Sequence, residues 1–320
     1  MNYATNEWDK LKTVIVGDAT DAQIPPIDIS MRTVNYADVE DVSGIKVGKY
    51  PQAVIDEANE DLEKFANFLK GEGVQVLRPT QNVPVEYYDY CPRDLVFLHD
   101  KFAIASPMSI QARHSNYKNI QHHIPGLTVA PRCELATLYN TGCVGDPDTL
   151  ALTDIAPSFD AANIIRANDD LLYLVSNSGN KAGAQYLKEV TGLNVHLLEG
   201  VYSYMHIDST IAFLREGLML INPSRIKDID VLPAPFCDWD YIICPEPTDI
   251  GYYGDYCNAS TWINMNLFSV SPELVCLEEN QHNLRIELEK AGIECAMLPM
   301  RHQRTLGGGF HCVTLDLERE

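Results

Sequence analysis

Apolar positions recur along the chain in one repeated order: an amphipathic stretch of helical period, a glycine near its end, then a short apolar strand. From Gln52 to Lys70 an apolar stripe runs through Val54, Ala58, Leu62, Phe65 and Leu69, followed by Gly73 and VQVL. Lys181 to Val190 precedes Gly192 and LNVHLL, and Gln281 to Lys290 precedes Gly292 and IECAML. Apolar residues three and four apart predict one buried helix face, and glycine is the residue expected to end such a helix. Between these units lie paired apolar runs, LVFL with FAIAS (95 to 106) and STIAFL with LMLINP (209 to 223), each pair joined by a charged or glycine turn. They predict hairpins. Strand and helix units recurring at unequal spacing, with no long Pro- or Gly-rich linker, predict a single α/β domain over residues 1–320 assembled from similar modules. The tract from Pro233 to Tyr256, rich in Pro, Tyr and Asp, is the expected long loop or lid.

One strand-like run carries chemistry. In TLGGGFHCVTLDL (305 to 317) the thiol of Cys312 follows three glycines and a histidine, and the alternation after it has the period of a half-buried strand. The glycines allow positive φ or a close approach by another group, so the pattern predicts Cys312 presented at a strand start into a cleft. A plain buried thiol is the competing reading. By the same alternation His311 should face away from Cys312 and serve packing.

Composition narrows the partners. With 320 residues and 46% hydrophobic content the chain can bury a large core. A net charge of −21 works against a sequence-independent grip on phosphate backbones, so no nucleic-acid partner is expected. No apolar run reaches the roughly 18 residues of a membrane span, and the opening MNYATNEWDKLK has neither an apolar signal core nor an Arg-rich transit pattern. A cytoplasmic protein without membrane attachment is the expectation. Nine cysteines without a CxxC pair fit reduced thiols better than a disulfide or zinc framework. His122 and His123 are adjacent, not at ligand spacing, and no Lys-Ser/Thr follows glycines 307 to 309 as a phosphate loop requires. Neither metal nor nucleotide cofactor is expected.

Four polar sites precede apolar runs: Asp94 in CPRDL, Asp160 in FDAANIIRA, and His206 with Asp208 in YMHIDST. Residues 206 and 208 share a side if extended. A nucleophile, a base and three carboxylates together call for a cationic electrophile, and a guanidinium fits: planar, permanently charged, and bound bidentately by carboxylates.

These residues lie in blocks that resemble the amidinotransferases, the family of L-arginine:glycine amidinotransferase: NEWDKLKTVIVG (6–17), PRDL (92–95), FDAANIIRA (159–167), MHIDST (205–210), INPSR (221–225), WINMN (262–266) and LGGGFHC (306–312). The resemblance spans nearly the whole chain. It implies a five-fold pseudosymmetric α/β propeller of ββαβ-type modules, the pentein fold, around a central site. It implies Cys312 as the nucleophile that takes up the amidino group, His206 as general acid and base, and Asp160 as the residue that orients the histidine. Asp94 and Asp208 would hold the guanidinium, Arg225 the substrate α-carboxylate, and Ser260 the same amino-acid end. The partners implied are L-arginine and an amine, with glycine the first candidate acceptor and lysine, ornithine, an aminocyclitol phosphate or a toxin precursor the others; relatives are often homodimers. A guanidine hydrolase of the arginine deiminase or dihydrolase type is the alternative, because water can replace the amine. The chain departs from the glycine-specific branch at Asn163, at Ala259, and at Ser203 and Tyr204.

Overall fold

The computed structural model describes residues 2–133, 135–146 and 149–320. Among them one motif recurs five times: two antiparallel strands and a third strand parallel to the second, forming a three-stranded sheet. Val96–His99 pairs with Phe102–Ala105, and Thr128–Val129 completes that sheet. Ile164–Ala167, Asp170–Leu174 and Asn194–Leu198 form the next. Ile211–Arg215, Leu218–Ile221 and Asp240–Ile243 follow, then Phe268–Ser271, Leu274–Glu278 and Glu294–Leu298. The fifth sheet joins the two ends of the chain. Leu11–Val16 lies between Gln75–Leu77, which is parallel to it, and the C-terminal Thr314–Arg319, which is antiparallel.

A parallel third strand requires a crossover, and the crossovers differ. Three are the helices read from the apolar stripes: Gln52–Gly71, Lys181–Thr191 and His282–Lys290. The second ends on Gly192 at φ 76°, a left-handed cap that a side chain would strain. The other two crossovers carry only short 3-10 turns, such as Gln111–Arg113 and Ile229–Val231. This is why the sequence displays three repeats and the structure five. The tract expected as a long loop is also interrupted, because Asp240–Ile243 within it is the third strand of its sheet.

A polar turn leads into the first strand of each hairpin. Pro92–Asp94, Ala161–Asn163, Ile207–Ser209 and Thr261–Met265 are 3-10 turns, and a hydrogen-bonded turn at 310–313 precedes Thr314–Arg319. These five turns and their N-caps carry the residues singled out above except Arg225, which follows Leu218–Ile221. The last is braced by the longest helix, whose Phe65 meets Phe310 edge-on at 4.9 Å between ring centroids and Phe268 at 6.2 Å. All three rings are buried, and burying each contributes about 1.5–3 kcal/mol, so the turn before Cys312 rests on a packed support.

Candidate active site

Cys312 lies in the turn before the C-terminal strand, not on the strand itself. Two of the three glycines act by close approach. A Cβ on Gly308 would lie 2.5 Å from Cys91 Sγ, and one on Gly309 would lie 2.8 Å from Asn266 Cβ; only Gly307 has positive φ, at 80°. Asn266 fastens the turn. Its Oδ1 accepts from the backbone N–H groups of His311 (2.9 Å) and Cys312 (3.2 Å), and its Nδ2 donates to the carbonyl of Asp208 (3.3 Å).

Asp208 reaches the nucleophile candidate directly. Its Oδ2 accepts from Cys312 Sγ at 3.1 Å and is also 3.1 Å from His311 Nδ1. The expectation that His311 faces away is therefore corrected: strand alternation does not apply in a turn, and both neighbours converge on one carboxylate oxygen. Burial works against a charged Asp208, but the hydrogen bond and charge of His311, the charge of His206 and the Cys312 hydrogen bond hold its carboxyl below the usual range.

His206 and Asp208 lie on the 3-10 turn Ile207–Ser209 and its N-cap, not on a strand, and still line the same cavity. His206 Nε2 is 2.9 Å from Asp160 Oδ2, and Nδ1 is 3.6 Å from Asp94 Oδ1. Burial disfavours the imidazolium, but Asp94 and Asp160 outweigh it and raise His206 to about 9. It is charged at neutral pH. Asp94 is also paired with the buried Arg113, which sequence reading did not select. Arg113 Nη2 donates to the carbonyl of Cys91 (2.6 Å), and its guanidinium lies 4.8 Å from the Tyr88 ring centroid. No motif marks it; only its burial opposite a carboxylate gives it away.

The two aspartates beside His206 are not saturated. Asp94 Oδ1 and Asp160 Oδ1 are buried without a hydrogen-bond partner, which costs free energy unless a donor is supplied. Both residues line one small cavity with Cys91, His206 and Cys312. A hydrogen bond with the Cys91 thiol, burial, and the carboxylates of Asp208 and Asp94 push the Cys312 thiol well above its ordinary range. These neighbours favour thiol over thiolate, and the thiolate is the nucleophile.

Above this floor opens a cavity of about 440 Å³. Asn35 to Val39, Tyr202 to His206 and Cys257 to Ser260 supply much of its wall. Arg225 stands in that wall, held by Ser209 Oγ at 3.0 Å and Thr210 Oγ1 at 2.8 Å, with its guanidinium 3.5 Å from the centroid of the Tyr202 ring. Ser260 occupies the N-cap position of the turn Thr261–Met265 without a side-chain capping bond and lines the cavity. Asn163, one of the sequence departures, lies behind Asp160 and bonds Ser176, Ser178 and the carbonyl of Leu174. All seven candidates, Cys312, His206, Asp160, Asp94, Asp208, Arg225 and Ser260, thus line two cavities that share His206 and Cys312 in their walls.

The chain as a whole is similar to known proteins. The chain is 41% identical to inosamine-phosphate amidinotransferase 1 of Streptomyces glaucescens, over 98% of this chain and 95% of that protein. It is 31% identical to L-arginine:L-lysine amidinotransferase of Pseudomonas savastanoi pv. phaseolicola (98% and 93%) and 29% identical to the mitochondrial glycine amidinotransferase of Danio rerio (99% and 82%). Its structure matches that of an inosamine-phosphate amidinotransferase from Streptomyces griseus with a TM-score of 0.93 at 40% identity, covering 100% of this chain and 97% of the other. A dimethylarginine dimethylaminohydrolase from Pseudomonas aeruginosa matches at a TM-score of 0.60 and 18% identity, over 96% and 99% of the two chains, a likeness of fold alone: the five-module pentein arrangement. No family model matches the chain.

Proposed function

The chain belongs to the amidinotransferases, and from that premise we propose that it takes the amidino group of L-arginine onto Cys312, releases L-ornithine, and passes the group to a second amine. The observation that carries this reading is the floor of the cavity: a buried thiol bonded to Asp208, with two unpartnered carboxylate oxygens beside a charged imidazole.

The guanidinium enters between Asp94 and Asp208, where its N–H groups satisfy carboxylate oxygens and its charge offsets the field that keeps Cys312 protonated. On that arrival Cys312 releases its proton to solvent through the cavity it lines, and the thiolate adds to the central guanidine carbon. Fixing these groups in attacking geometry can supply several kcal/mol of the barrier. His206, already charged and oriented by Asp160, gives its proton to the departing amine of ornithine, a transfer that contributes about 10²–10⁴-fold. The amidino group is then held as an S-linked adduct on Cys312. After ornithine leaves, the incoming amine yields a proton to His206 and attacks the same carbon, returning the thiolate. Arg225 receives the α-carboxylate of arginine in a charge-assisted bond, with Ser260 at the same end. One catalytic domain suffices for these steps, and no cofactor takes part in them.

For the acceptor, glycine is the smallest candidate, but the relatives favour a larger amine. Identity is higher to the inosamine-phosphate enzyme than to the lysine or glycine enzymes, and the cavity has room for a ring above the floor. We therefore place the amine of an aminocyclitol phosphate ahead of glycine, its acidic group taking Arg225 once the arginine carboxylate has gone. Product analysis with L-arginine and a panel of aminocyclitol phosphate, lysine, ornithine and glycine tests this. Faster ornithine release with the cyclitol amine supports the assignment, while a preference for glycine overturns it. Citrulline or ammonia without any amine would make the enzyme a hydrolase.

A further inference from the structure

His311 has no part in the steps above, yet it contacts the carboxylate they depend on. Its Nδ1 is 3.1 Å from Asp208 Oδ2, the same oxygen that receives the Cys312 thiol at 3.1 Å. Its other nitrogen, Nε2, is 3.7 Å from Glu7 Oε2. Glu7 is itself fixed, because Arg166 binds it at two points, Nε to Oε1 at 2.7 Å and Nη2 to Oε2 at 2.9 Å. The backbone of His311 is held as well: its N–H goes to Asn266 Oδ1, and its carbonyl accepts from Arg93 Nε at 3.4 Å. The imidazole therefore stands between two carboxylates on a restrained backbone, with a hydrogen-bond acceptor at Nδ1 and Glu7 at ion-pair distance from Nε2.

We propose that His311 is a positioning residue for amidino transfer: its Nδ1–H, backed by Glu7, ties Asp208 Oδ2 in place so that the carboxylate faces the Cys312 sulfur and the incoming guanidinium. The inference rests on Cys312 and Asp208 acting as proposed above. An ionised Asp208 has only acceptor atoms, so the hydrogen must sit on Nδ1 for this contact to bind. Without that donor the carboxylate loses a partner in a buried place, turns more freely, and protonates more readily. The ionisable groups facing His311 are Asp208, Glu7 and Cys312, with Arg166 and Arg93 behind them, and His206 acts on Asp208 from the other side.

Three substitutions separate this role from simple packing. His311→Asn places an amide N–H where Nδ1 stands, His311→Gln places one at the Nε2 end instead, and His311→Leu removes both. Steady-state kinetics with L-arginine over a pH series is the measurement. His311→Leu and His311→Gln should raise the KM for arginine about tenfold, the scale of losing one hydrogen bond to a charged group, and should move the acid limb of kcat/KM to higher pH as Asp208 protonates more easily. His311→Asn should stay within about threefold of the parent with its acid limb unmoved. The polar Gln variant keeps the test valid if the Leu variant fails to fold. Should Asn and Gln behave alike, with neither limb displaced, the inference is wrong. Failure of the parent enzyme to form an adduct on Cys312 would instead strike at the mechanism beneath it.

Discussion

The floor and the mouth of the cavity are built on different principles. The floor comes from equivalent places in the repeated modules, the turns that lead into Val96–His99, Ile164–Ala167, Ile211–Arg215 and Thr314–Arg319. Its residues are buried, apart from the slightly exposed His206 and His311, and tied to one another: His206 to Asp160, Asp208 to Cys312 and His311, Asp94 to Arg113. The mouth comes from connecting segments such as residues 35–39, 202–205 and 257–259, which lie outside the repeated strands and turns and are half-buried or exposed apart from Tyr36 and Ala37. Chemistry common to a family requires the first kind of construction, since attack on one carbon needs fixed distances. Choice of acceptor belongs to the second, where loops change without disturbing the sheets.

If that division is right, floor and mouth substitutions should fail differently. Cys312→Ala gives the largest effect, at least 10³-fold in turnover by analogy with removal of other enzymatic nucleophiles, while calorimetry should find arginine still bound. Persistent turnover in this variant would remove the covalent step. In the wall between floor and mouth, Arg225→Ala should raise the KM for arginine by roughly 10–100-fold, the scale of a lost charge-assisted hydrogen bond, with kcat changed far less; initial rates over a wide arginine range separate the two. At the mouth, Tyr202→Leu removes the ring against Arg225 and should cost about 2–5-fold in KM, since such a contact is worth about 0.5–1 kcal/mol. A kcat loss as large as that of a floor variant would break the distinction.

The floor should also show itself in stability against pH. His206 is raised from its ordinary 6.5 to about 9, so between these values the folded protein holds a proton that the unfolded chain releases. The stability that His206 contributes is therefore complete below pH 6.5 and is lost as pH rises through about 9. Thermal unfolding of the unliganded protein should show Tm falling by several degrees across this window, at about 2–4 °C per kcal/mol for a chain of this size class. His206→Gln should flatten that part of the curve. An equal slope in both proteins would mean that the charge on His206 is not what the aspartates stabilise.

The sequence made the floor legible and left the mouth obscure, for physical reasons. Helices such as Gln52–Gly71 leave an apolar stripe every three or four residues, so their periodicity survives without coordinates. The two modules whose crossovers hold only 3-10 turns leave no such trace, and five-fold repetition came from family resemblance instead. Cys312, His206, Asp160, Asp94 and Asp208 stand inside recognisable blocks, although a strand setting is expected for Cys312 and, if extended, for His206 with Asp208, where the structure has turns. That error hid His311, because strand alternation turns it away from the very carboxylate it meets. Arg113 was invisible for another reason: its partner Asp94 lies 19 positions earlier in the chain and no local pattern joins them.

Intact-protein mass spectrometry after mixing the enzyme with L-arginine alone tests the central claim most directly. A gain of one amidino group on Cys312 is expected, with ornithine released in equal amount and the adduct discharged only when an acceptor amine is added. An unmodified Cys312 throughout ornithine formation, or citrulline accumulating with no amine present, would contradict it.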